Sequence, residues 1–399
     1  MKYFKLLILI SFLIGCKNQS GKTILINPEI KQYVDFLQKQ NTTAKDYVLS
    51  LYDKYEIVVL SERKHYEYSQ YKIILDVISD KKFIDSVRNI FVEVGVSTEQ
   101  NKIDEFLNSE NLSEKEIEKK ALEIYRNIPF LASWDKTSYY DFLIKLYKIN
   151  QNLEPDKKIK LFYSDIPFSW KKTKTQYDYK KFLETIDTRD SIIATQIISN
   201  FDKIKSKRKK KALVILNYRH GFLNIKYNQY EKKVDNVGRY LKEKYKERIA
   251  SVLINDIYAD INGKYYPIQN GKWDAAFEIL NKSDIGFNFQ NSPFGKDSFD
   301  IYPVENELTY QDVFTGFIYT SPIDSFVFKK GVKHYISSDF EKEYIRRVEI
   351  AGYKPDIKND TVLRIWRYSE KEWCPNYEDV RNRIDKWKHA TTQHIPNGG

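Results

Sequence analysis

The chain is short of several residue types, and each shortage narrows what it can be. Two cysteines stand among 399 residues, Cys16 and Cys374. That excludes a disulfide-stapled scaffold and a four-cysteine zinc site. Long apolar runs are absent except at the N-terminus, so a multi-span membrane protein is excluded. No Gly-x-Ser-x-Gly elbow is present, which argues against a serine hydrolase, and no phosphate-cradling glycine loop, which argues against nucleotide chemistry. Neither a Pro/Ser-rich linker nor an internal repeat interrupts the chain. Acids are outnumbered, 55 against 66 Lys and Arg, for a net charge of +11. Richness in Lys, Asn, Ile and Tyr suggests an AT-rich genome, which accounts for the basic balance. Attraction to anionic lipid or nucleic acid is the alternative. Hydrophobic residues are present in quantity, at 42%, enough to bury a sizeable core and exclude a disordered chain.

The N-terminus reads as a lipoprotein signal. Met1 to Lys5 is a short basic segment, and Leu6 to Ile14 is apolar apart from Ser11. Nine helical residues span about 13–14 Å, less than half a bilayer core, so the run is a signal-peptide segment and not a stable span. Leu13-Ile14-Gly15-Cys16 resembles the bacterial lipobox, in which cleavage precedes a cysteine that carries lipid. Several acyl chains, palmitate among them, would anchor Cys16 stably where one would not. Lipidation of Cys16 leaves Cys374 no partner in the chain. The expected organisation is a signal peptide over 1–15, a lipidated cysteine and polar tether over 16–29, a single α/β domain over 30–388 and a disordered tail over 389–399. The expected location is the cell envelope, on a bacterial membrane.

Helical spacing covers residues 30–54, Tyr68 to Ile78, 97–128, 136–150, 176–204 with a break near Asp187, Val237 to Lys246, and 338–350. Strands are expected at Glu56–Leu60, Asn89–Val94, Lys160–Tyr163, Ala212–Leu216, Ile249–Ile254 and Phe314–Tyr319. Their alternation with helices predicts an α/β fold, a mainly parallel central sheet with helices on both faces and helical insertions. Asn262-Gly263 and Asn270-Gly271 are expected hairpin turns, and 284–300 an irregular segment.

In open parallel sheets, ligands bind beyond the carboxyl ends of the strands. Four of the first five strands end in polar groups. The first leads into Glu62, Lys64 and His65, the second into Glu93 and the third into Asp165. The fourth leads into Asn217, Arg219 and His220. Two of only five histidines fall there. An isolated carboxylate at such a place is often just a helix cap, a reading that fits Asp165. Two His and two Glu on one rim suit hydrolysis: a neutral imidazole takes a proton from water, a Glu orients it, and a second His or an Arg steadies an oxyanion.

At these residues the chain resembles the erythromycin esterase-like family. Glu62-Arg63-Lys64-His65 is similar to its G-E-x-x-H-G motif, and Glu93 falls where the family has a second acid. Arg189-Asp190-Ser191-Ile192-Ile193-Ala194 is similar to its R-D-x-x-M-A helix start, and Leu216 to His220 to a strand ending in two histidines. Val237 to Leu241 and Asp312 to Phe328 resemble later segments. The resemblance implies metal-independent, cofactor-free hydrolysis of a small-molecule ester or lactone in a deep cleft. It implies His65 as general base, Glu62 and Glu93 orienting it and the water, and His220 on the substrate or oxyanion. Arg189, Asp190, Asp165 and Asn217 would bind substrate or support the rim. Wider relatives include haem-binding lipoproteins and metal-dependent peptidases. Five positions depart from the pattern: Ser61 and Tyr66 replace glycines, Asn217 a histidine, Ile193 a methionine and Gln196 an asparagine.

Two other readings stay open on the same residues. One is a non-catalytic binder of haem or another apolar ligand. The other is a metal-dependent hydrolase using His65, His220 and a Glu. Nucleic acid is not an expected partner; the membrane is, through the anchor. The lipobox predicts that mass spectrometry of the membrane-bound protein finds a chain beginning at modified Cys16. Retained Met1, or unchanged membrane fractionation of Cys16→Ala, contradicts it.

Overall fold

Strand residues alternate between two faces of a sheet, and in this chain both faces are apolar. The computed structural model describes residues 26–129, 137–205, 210–259, 263–304, 307–354, 371–373 and 376–388. In it β1 (Ile57–Glu62), β2 (Asn89–Val96), β3 (Lys160–Asp165), β4 (Ala212–Asn217) and β5 (Ile249–Ile254) run parallel. β6 (Ile257–Ala259) and β7 (Tyr265–Pro267) form a separate hairpin. β8 (Ile285–Asn288) and β9 (Gly316–Tyr319) complete the main sheet in the order β3-β2-β4-β1-β5-β9-β8, and only β8 is antiparallel. β10 (Phe328–Lys330) pairs with β11 (Lys371–Trp373). The expected α/β sheet is therefore present.

Val58, Leu60, Ile90, Val92, Leu213 and Ile215 join one core cluster, with the helices over 44–51, 71–78, 100–108, 114–125 and 137–151. Their neighbours Ile57, Val59, Phe91, Val214 and Leu216 join another, beneath the helices over 189–203 and 237–245. A third cluster gathers β8, β9 and the helices over 28–37, 272–279 and 378–388.

β2 is irregular where it matters. Its pairing with β3 shifts register between Val92 and Val96. Gly95 sits there at φ +125°, and a Cβ on it would lie 2.4 Å from the Tyr163 ring. Only glycine fits this backbone, and such irregularities re-aim the neighbouring side chain. Glu93 lies within this irregular stretch.

Several expected elements differ. Residues 30–54 form two helices, Pro28–Leu37 and Ala44–Leu51, because the Thr43 hydroxyl accepts from the Asp46 N–H and starts a new helix. The stretch 97–128 also divides, since Ser113 and Glu116 build a capping box. Asn270-Gly271 is not a hairpin. Gln269, Asn270 and Gly271 take positive φ and turn the chain into the helix over 272–279. Part of the irregular segment 284–300 is β8, too short to show alternation. The signal, tether start, Cys374 and tail lie outside the described residues. No helix among the described residues is long and apolar enough to cross a membrane.

Leu213, fully buried in β4, should cost about 2–5 kcal/mol when cut to Ala. Leu183, 38% exposed, should change stability by no more than about 0.5 kcal/mol when cut to Ala. Denaturant unfolding measures both, and equal losses would refute the layer assignment.

Candidate functional site

The parallel strands deliver their carboxyl ends to one rim, and β1, β4, β2 and β3 are neighbours there. Glu62 ends β1 and is buried. Its Oε1 lies 2.6 Å from His65 Nδ1, and its Oε2 accepts the Tyr71 hydroxyl at 3.2 Å. Both Glu62 oxygens are thus fixed, and the carboxylate selects the His65 tautomer with its proton on Nδ1. His65 Nε2 is then turned toward Glu93, 3.8 Å from its Oε1.

The loop that carries His65 is held from several sides. Arg63 is buried and pairs with buried Glu67 at 2.7 Å. It also donates to Asn255 Oδ1 at 2.7 Å and covers the Phe326 ring at 3.8 Å. Gln70 Oε1 accepts the Arg63 N–H, and the Ser138 hydroxyl donates to the His65 carbonyl.

Glu93 is the centre. Its Oε1 accepts from Arg189 Nη1 at 3.1 Å and from His220 Nε2 at 3.3 Å, and its Oε2 accepts the Asn217 N–H at 2.9 Å. Burial alone would push this acid up. The charges of His220 and Arg189 outweigh it and hold Glu93 well below the usual carboxylate range. Burial lowers His220 in turn, but Glu93 and Asp190 push it up to about 10. Its Nδ1 lies 2.8 Å from Asp190 Oδ2. His220 is therefore an imidazolium at neutral pH, donating from both nitrogens. Arg189 grips Asp165 with two parallel bonds, at 2.7 and 2.9 Å. Burial raises Asp165, against the pull of Arg189.

All eight rim residues singled out in the sequence are thus brought together. Two details differ from expectation. Asp165 caps no helix; a loop follows it, and the next helix is capped by Thr175. Asn217 works as a clip, its backbone on Glu93 and its amide donating to the Arg63 carbonyl. The departures from glycine are accommodated. Neither Ser61 nor Tyr66 has positive φ. Ser61 Oγ lies 3.2 Å from Ser251 Oγ, in space that Gly221 leaves open. Sequence reasoning missed Tyr71, Glu67 and Asn255, whose roles depend on contacts that no local spacing announces. A cavity of about 770 Å³, lined by Thr43, Lys45, Lys72, Asp80 and Thr320 among others, touches none of the rim residues.

Glu62, His65 and Glu93 each offer one donor atom, all within 4.8 Å of one another. That span suits a divalent ion. Against it, Glu93 Oε1 already serves Arg189 and His220, so a metal there would face two positive groups. His220 itself cannot ligate while both its nitrogens carry protons.

No family model matches the chain, and no curated protein does. Solved structures do match. A succinoglycan biosynthesis protein superposes with a TM-score of 0.51 at 10% identity, over 73% of this chain and 97% of that one. The erythromycin esterase EreC in an open conformation gives 0.45 at 10%, over 68% and 90%. The haem-binding ChaN of Campylobacter jejuni gives 0.33 at 14%, over 53% and 86%. At these identities the likeness is one of fold alone, an α/β arrangement shared with the succinoglycan biosynthesis protein.

Proposed function

We propose that this chain is a lipid-anchored envelope protein that hydrolyses a small-molecule ester or lactone, with water activated by His65. The observation that carries the reading is the Glu62 carboxylate 2.6 Å from His65 Nδ1, which turns Nε2 toward the Glu93 edge. Glu93 is too weak a base for the task, because its neighbours hold it ionised so firmly. The imidazole is the base the site offers. At 3.8 Å, Nε2 and Glu93 Oε1 are too far apart for a direct hydrogen bond, and a water beside them can donate to both.

In the first step His65 Nε2 takes a proton from that water as its oxygen attacks the acyl carbon. The Glu62 carboxylate stabilises the resulting imidazolium. The carbonyl oxygen gains negative charge, and His220 and Arg189 are the fixed positive groups on the rim that can stabilise it. Collapse of the tetrahedral intermediate breaks the carbon–oxygen bond, and the His65 proton passes to the leaving alkoxide. Asp190 and Asp165 hold His220 and Arg189 in place and charged. A second reading, a metal-dependent hydrolase, rests on the three donor atoms within 4.8 Å.

On a panel of esters and lactones, His65→Ala should lower the rate by about 10²–10⁴-fold with folding intact. Glu62→Gln should fall in the same direction, and a chelator should leave the rate unchanged. If His65→Ala keeps more than about a tenth of wild-type turnover, the base is misassigned. Loss of activity on chelation favours the metal.

His220 gives a pH test with a definite sign. Its raised value means its contribution to stability is complete below the ordinary histidine range and disappears as pH climbs through about 10. Activity and melting temperature should both fall across that window. Asp190→Asn removes one of the two carboxylates that raise His220, so the alkaline limb should move to lower pH. An unmoved limb would show that another group titrates there.

A further inference from the structure

A second set of groups lies on the same rim, on the β5 side. Leu253 of β5 pairs with Ser61, so Asn255 and Asp256 follow on beside Glu62 and Arg63. Asn255 is used up in clamping Arg63. Asp256 is not accounted for. It is 8% exposed. Its Oδ1 accepts the Ile257 N–H at 2.8 Å, and its Oδ2 is buried with no hydrogen-bond partner. Burial pushes this carboxyl up to about 7, against the pull of Lys64 and Arg63, and Glu67 adds to the rise. Its charge also reaches the Tyr66 and Tyr218 hydroxyls. An unpaired buried oxygen costs stability, and one that lies on the rim beside the loop of His65 calls for a partner.

The surroundings are aromatic. Tyr66 follows His65 directly, and Tyr218 follows Asn217. Tyr265 interacts with the Tyr66 hydroxyl and lies under Lys64, whose Nζ is 3.9 Å from the ring centre. All three rings are half-buried, so each is part of the surface.

We propose that Asp256 is the floor of a substrate subsite walled by Tyr66, Tyr218 and Tyr265, which takes an uncharged hydroxylated ring such as a sugar or cyclitol. Ring C–H faces lie on the phenol rings, and a hydroxyl gives Asp256 Oδ2 its missing partner. Charge argues for a neutral ligand. Lys64 and Arg63 oppose a cation beside Asp256, and the Asp256 carboxyl, when ionised, opposes an anion. Oδ2 is closed to water as the rings now stand, so an entering hydroxyl turns Tyr66 or Tyr218 aside, a side-chain movement common on binding. The subsite rests on the hydrolytic reading only for the reacting group next to it, and its binding can be measured without turnover.

The test is equilibrium binding to the full chain, in a detergent without sugar headgroups, of methyl α-glucoside, myo-inositol, cyclohexanol and choline. Wild type should bind at least one of the two hydroxylated rings about tenfold or more tighter than cyclohexanol or choline. Asp256→Ala should lose that preference. Asp256→Asn, which keeps an acceptor for Ile257 and can still bond a hydroxyl, should retain most of it without lowering the melting temperature. The proposal is overturned if wild type binds neither hydroxylated probe, if it binds choline or cyclohexanol as tightly, or if Asp256→Ala keeps the preference. A wild-type protein that binds the glucoside with the predicted Asp256 dependence but cleaves no ester would defeat the hydrolytic reading and leave the subsite standing.

Discussion

A carboxylate buried in the irregular stretch of β2 is the constraint from which the rim is built. Glu93 lies in a place where burial works against its charge. Its ionisation is tolerable only because Arg189, His220 and the Asn217 N–H surround it. Each of the two cationic groups is fixed in its turn, Arg189 by Asp165 and His220 by Asp190. The result is a network in which every charge has a partner of opposite sign, and none can be removed without leaving another buried and unpaired. The network also divides the labour between the two histidines. Carboxylates on both sides make His220 a fixed cation, while Glu62 binds one nitrogen of His65 and leaves its ring poised toward Glu93.

The backbone supplies this geometry cheaply. Parallel strands bring their last residues to one level, so Glu62, Asp165 and Asn217 arrive together although they are distant in sequence. The register shift at Gly95 lets β2 present Glu93 among them. The helix beginning at Arg189 then carries two consecutive residues to the rim, Arg189 toward Asp165 and Asp190 toward His220.

Much of this was legible in the sequence because it depends on local pattern. Apolar runs mark the six parallel strands, and the polar residues at the ends of the first four runs mark the rim. The pairings were not legible. Nothing in the spacing ties Asp190 to His220 thirty residues away, or Tyr71 to Glu62. Asp165 looked like a helix cap because carboxylates at strand ends often are; its role emerges only when Arg189 docks on it. Helix ends were misjudged where a single hydroxyl, Thr43 or Ser113, outweighed a continuous apolar pattern. Four-residue β8 carries too little alternation to declare itself, and Asp256 shows its unpaired oxygen only once the chain has folded around it.

The central claim is that the two rim histidines do different work, His220 as a fixed cation and His65 as the base that Glu62 orients. Nitrogen NMR on selectively labelled histidine, at pH 8, measures this directly. The account predicts that His220 carries protons on both ring nitrogens and that the His65 tautomer facing Glu62 has its proton on Nδ1. A neutral His220, or a His65 proton found on Nε2, would contradict it.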